Sequence, residues 1–336
     1  MAIIGGYYIG YCILAGLLCL ARTKHDPARV GIAWMKATYP IWIVALGLHL
    51  VWSALRIWLY YGDDFYYGYS ARAFSRVISH LSNMGSFFEE VAEIILFVTF
   101  VEFGSGVLLC QNGGQPTAIR KANRIAIRVW GAILFILSIA LMGVNHSMIG
   151  RSYTVSSSSG SDSDSIINRI IHLVRLEGAV GILLWLTTIP VLAFASYVFH
   201  KTKNNYMLRR SAVLLLVATA LDFIRHLITM AVTAAASLGN PARYVLSETD
   251  VDPAVLYVIF PFFRFVFMFV ILVLLLSLAI RKSGRLWSSP QQPVPAYQQQ
   301  QQQQQQGGQQ QQVDEQKGLL RRRHRETSRP WVAILR

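Results

Sequence analysis

Seven stretches of this chain each approach the roughly 20 apolar residues that a helix needs to cross a bilayer. They lie at 3–21, 40–60, 85–110, 127–149, 175–199, 211–236 and 254–280. In lipid the backbone must satisfy its own hydrogen bonds, and a run this long does so only as a helix. The expected fold is therefore all-α: a polytopic membrane protein, with a bundle of seven transmembrane helices over 1–285 and a tail over 286–336. Composition agrees, since 54% of the 336 residues are apolar and only 14% charged, against about a quarter charged in soluble domains. This excludes a disulfide scaffold, an ordinary cytosolic enzyme and a wholly disordered chain.

The formal net charge is +14, which on a soluble chain would raise nucleic acid as a partner. The positions of the charges give a different reading. With the N-terminus outside, each inner connection carries four basic residues: Arg22, Lys24, Arg29 and Lys36; Arg120, Lys121, Arg124 and Arg128; Lys201, Lys203, Arg209 and Arg210. The tail from Arg281 adds ten, whereas the outer connections hold six (Arg72, Arg76, Arg151, Arg169, Arg175 and Arg243). That asymmetry is the positive-inside pattern. It predicts an outer N-terminus, a cytoplasmic C-terminus and the plasma membrane as location, and it makes nucleic acid unnecessary. The first segment lacks a basic leader and is followed by its positive charges, which fits a signal anchor rather than a cleaved signal peptide. Cys12, Cys19 and Cys110 all lie within or at the inner ends of segments, so no outer disulfide is expected.

The connections read as short, about 10 to 25 residues each. The fourth, with Ser156–Ser159 followed by alternating Ser and Asp to Ser165, reads as a flexible solvated linker. The tail contains two glutamine tracts, 298–306 and 309–312, too polar to fold around a core. It ends in Arg321, Arg322, Arg323, His324 and Arg325 with Thr327 and Ser328 beside them. Such a cluster suits an anionic leaflet or a cytoplasmic partner.

Ionisable residues inside the segments are the strongest functional pointer, because each is expensive in a membrane. Segment midpoints and a rise of about 1.5 Å per residue place His49, Glu93, Asp222, Arg225, His226 and Arg264 in one central layer. Asp222, Arg225 and His226 share a helix face, as do His49 and Arg56. Glu89, Glu90 and Glu177 fall nearer the outer entrance. Two readings compete: a polar lock between helices, and a site for a solute, lipid headgroup or proton. Glu102 points away from Glu93 and has no evident partner within the segments.

Seven helices with an outer N-terminus resemble the receptor and retinal-protein architectures in topology alone. Every lysine (24, 36, 121, 201, 203, 282 and 317) lies outside the segments, so no Schiff base to retinal can form. The third segment ends Phe100-Val101-Glu102-Phe103-Gly104 without an Asp/Glu-Arg-Tyr sequence, and the seventh lacks Asn-Pro-x-x-Tyr. A divergent receptor stays open, since fungal seven-helix proteins often lack these marks, and the glutamine-rich tail reads as eukaryotic. A membrane zinc hydrolase would need several His and an Asp around one metal; the candidates are His49, His226 and Asp222, or His80, His146 and His172. No His-x-x-x-His pair exists. The expectation is a non-enzymatic, receptor-like sensor of a small molecule or lipid, without a cofactor or bound metal. A transporter or lipid exporter using the same charges is the second reading and the hydrolase the third.

Overall fold

The computed structural model describes residues 10–13, 30–61, 69–112, 118–152, 161–234 and 260–280, all helical apart from short turns. A helical turn at 10–13 (α1) is followed by α2 (Val30–Tyr61), α3 (Tyr69–Gln111), α4 (Ala118–Ser152), α5 (Ser161–Thr202), α6 (Tyr206–Thr233) and α7 (Phe260–Ile280). Five of these are long and apolar enough to span a membrane, and the described apolar part of α7, Phe263–Ala279, is shorter. The chain thus has the architecture of a helical, multi-pass membrane protein. The tail and the first segment's remaining residues lie outside the described residues.

Several helices run past the apolar stretches that announce them. α3 has 43 residues, about 64 Å of helix against a hydrocarbon thickness of about 30 Å. α2 starts ten residues before Pro40 and carries that proline internally. The Ser/Asp linker expected to 165 is helix from Ser161. The connection from α5 to α6 is only 203–205, shorter than expected, with Asn205 donating to the Gln111 side chain at 3.1 Å.

α3 is the axis. Its most apolar window is 89% buried, against 17–39% in the other four long helices. It packs on α2, α4, α5 and α6. Phe97, Phe100 and Phe103 are among its buried side chains. Close approach to its neighbours depends on glycines: a Cβ on Gly31 of α2 would meet Phe103 at 3.0 Å, and one on Gly104 would meet Phe194 of α5 at 2.5 Å. By contrast α4 turns Ile125, Val129, Ile133 and Ile136 outward at 50–66% exposure, the face a lipid-immersed helix presents. α7 is tied across to α2 by the Tyr39 hydroxyl, which donates to Leu272 O at 2.8 Å. Tyr11 of α1 likewise donates to Phe265 O at 3.0 Å.

Candidate functional site

The layer expected from sequence forms around α3. Glu89 and Glu93 are one helical turn apart, so both carboxyls leave α3 on one side. From α6, Arg225 enters between Glu93 and Asp222. Its Nη1 donates to Glu93 Oε1 at 2.7 Å, and its Nε and Nη2 donate to Asp222 Oδ1 at 3.3 and 3.0 Å. His226 Nε2 lies 3.2 Å from Glu93 Oε2, and its Nδ1 lies 3.0 Å from the Asp222 carbonyl oxygen and 3.4 Å from Arg225 Nη2. All four side chains are buried, each no more than 6% exposed.

Two further basic groups close the cluster from α7 and α2. Arg264 Nε lies 2.5 Å from Glu89 Oε1, and its Nη2 is 4.0 Å from Glu93 Oε1. His49 donates to Glu89 Oε2 at 3.3 Å. It can lie against α3 because Gly85, one turn before Glu89, has no side chain; a Cβ there would stand 3.1 Å from His49 Cε1. Exposure grades across the cluster, from Arg225 at 2% to His49 at 18% and Arg264 at 27%. Its acids are therefore sealed, while two of its basic groups form an accessible rim.

The formal charges are informative. Glu89, Glu93 and Asp222 supply three carboxylates against the guanidiniums of Arg225 and Arg264. Both ring nitrogens of His226 lie within reach of oxygen acceptors, contacts that a doubly protonated ring would satisfy together. With that proton the cluster is neutral. A neutral, hydrogen-bonded set is what a low-dielectric interior tolerates, since an unpaired charge there costs several kcal/mol, about 3–5 on removal of a partner.

All six residues expected in the central layer are thus brought together: His49, Glu93, Asp222, Arg225, His226 and Arg264. Arg56 is not; it is exposed, its guanidinium 5.4 Å from the Trp52 ring. Glu89, expected at the entrance, instead bridges Arg264 and His49 inside the cluster. Its position four residues before Glu93 was the available signal. Among the described residues no ion pair joins Glu90 or Glu177 to the cluster: Glu90 is half-buried, and Glu177 is exposed and accepts from Asn145 Nδ2 at 2.8 Å.

Glu102 corrects the expectation of a carboxyl without a partner. It is 2% exposed and pairs with two arginines of α4, Arg124 at 2.7 Å and Arg128. The charge pattern alone places both in an inner connection. α4 begins at Ala118, so they are helical residues whose long side chains reach inward to α3.

His80 of α3 and His146 of α4 meet, with Nδ1 atoms 2.6 Å apart, but His172 is exposed. Asp222 and His226 are engaged by Arg225 and Glu93, and His49 by Glu89. Among the described residues no three metal-ligating side chains converge, so neither ligand set proposed for a hydrolase assembles there. Comparison with known proteins finds no matching family model, no matching curated relative and no matching solved structure.

Proposed function

We propose that this protein is a non-enzymatic, receptor-like sensor of a small molecule or lipid, spanning the plasma membrane seven times with its N-terminus outside. The observation that carries this reading is Arg264, 27% exposed while paired with the buried Glu89, at the rim of a four-helix network. A ligand can act only through contacts that differ between two states of the protein. Here an incoming polar group would compete with Glu89 for Arg264, leaving Glu89 with His49. Arg264 lies on α7, and α7 leads directly into the C-terminal tail. A shift at the rim would therefore change how α7 is held and what the tail presents to a cytoplasmic partner or anionic lipid.

The test uses full-length protein in nanodiscs with an environment-sensitive probe in the tail. Carboxylate- and amine-bearing amphiphiles are screened for thermal stabilisation. A sensor yields a compound that stabilises wild type, fails with Arg264→Gln and alters the probe signal, without crossing proteoliposomes. Flux that Asp222→Asn abolishes would make the layer a transporter gate. Stabilisation by nothing in the panel would leave the network a lock without a ligand.

A further inference from the structure

The Glu102 cluster has a charge pattern opposite to that of the central layer. One buried carboxylate faces two guanidiniums, which leaves a positive charge in surplus. Arg124 and Arg128 are 25% and 44% exposed at their side chains, so the surplus is accessible. Lys121 is also exposed, and positions 121, 124 and 128 share one face of α4. The Arg128 guanidinium lies 5.9 Å from the Trp34 ring of α2, which places it beside α2 as well as α3. Beside the arginines, Ile125 and Val129 are 63% and 55% exposed, as expected of a face toward acyl chains. Arg124 and Arg128 sit about 5–11 Å along the helix from Lys121, where the apolar span of α4 begins. This is the depth of headgroups and their glycerol linkages.

We propose that this face of α4 is a binding site for the headgroup of an anionic phospholipid, recognised by its net negative charge. The phosphate would be held by Arg124, Arg128 and Lys121, with the acyl chains lying along Ile125 and Val129. Guanidiniums are suited to the site because their forked donors match phosphate oxygens. Glu102 has a defined part: it anchors both arginines to α3 and, by its own charge, moderates the site's attraction for anions. The proposal needs only the membrane architecture and is independent of the sensor reading.

The experiment is native mass spectrometry of the full-length protein with phosphatidylserine or phosphatidylcholine of identical chains. Wild type should retain phosphatidylserine in preference. Lys121→Gln, which leaves the Glu102 ion pairs intact, should lower that preference about fivefold, the effect of one basic residue near an anionic surface. Glu102→Gln should raise it by a similar factor, a gain that a merely structural role for the carboxylate would not produce. If that variant fails to fold, Lys121→Gln decides alone. Equal retention of the two lipids by wild type would overturn the site. So would a preference unchanged in Lys121→Gln and lost in Arg321→Gln/Arg322→Gln/Arg323→Gln, which would place the lipid on the tail. Inorganic phosphate that competes fully at low millimolar concentration would show a free-anion site instead.

Discussion

The two acidic clusters on α3 solve one problem in different ways. Around Glu89 and Glu93, three buried carboxylates meet Arg225 and His226 of α6 and Arg264 of α7, so that with His226 protonated the formal sum is zero. Around Glu102, about 14 Å further along the axis, a single carboxylate draws in two arginines that stay partly exposed. The first is costly to disturb because Glu93, Asp222, Arg225 and His226 are all buried, and water reaches only the Arg264 and His49 rim. The second is tolerant because long arginine side chains can turn back toward the headgroups. Burial of the partner, more than the presence of an ion pair, therefore decides what each interaction contributes.

Substitutions should separate the two regions sharply. Arg225→Met strands Glu93 and Asp222 together and should lose about 3–5 kcal/mol, measured by detergent-induced unfolding in mixed micelles. His226→Gln keeps a donor but removes the charge; it should cost about 2 kcal/mol in the same assay. Gly31→Ala tests the α2–α3 approach near Glu102. Its new methyl would stand 3.1 Å from the Phe103 backbone nitrogen, which cannot swing aside, and overpacking of that kind costs about 1–3 kcal/mol. Glu102→Gln should cost least, about 1 kcal/mol, since both arginines retain access to solvent. A loss for Glu102→Gln equal to that for Arg225→Met would erase the distinction between the clusters.

Much of this was legible in the chain before its folding. The apolar runs marked α2 to α7, and depth alone put Glu93, Asp222, Arg225, His226, Arg264 and His49 in one layer, because each charge in a span must find a partner at its own height. Arg56 is grouped with His49 by helix face and not by depth. It shares the His49 face, but seven residues carry it about 11 Å toward the helix end, where it lies over Trp52. Glu89 was assigned to an entrance because depth says nothing about which neighbour crosses the gap, and Arg264 does. Glu102 seemed isolated for a related reason. Hydropathy ends a span where charges begin and so assigns Arg124 and Arg128 to a connection, although α4 is continuous through them. Helix ends beyond the apolar core, such as Tyr69 and Ser161, carry no hydropathy signal.

The most direct test is a double-mutant cycle on Glu93 and Arg225, whose 2.7 Å contact joins α3 to α6. Unfolding free energies would be measured for Glu93→Gln, Arg225→Gln and the pair. Each single substitution should lose about 3 kcal/mol or more. The double substitution leaves Asp222 with His226 and Glu89 with Arg264, a balanced remainder, so it should recover at least about 1 kcal/mol of the summed loss. Losses that add to within about 0.5 kcal/mol, or single variants as stable as wild type, would contradict a buried network that locks these helices together.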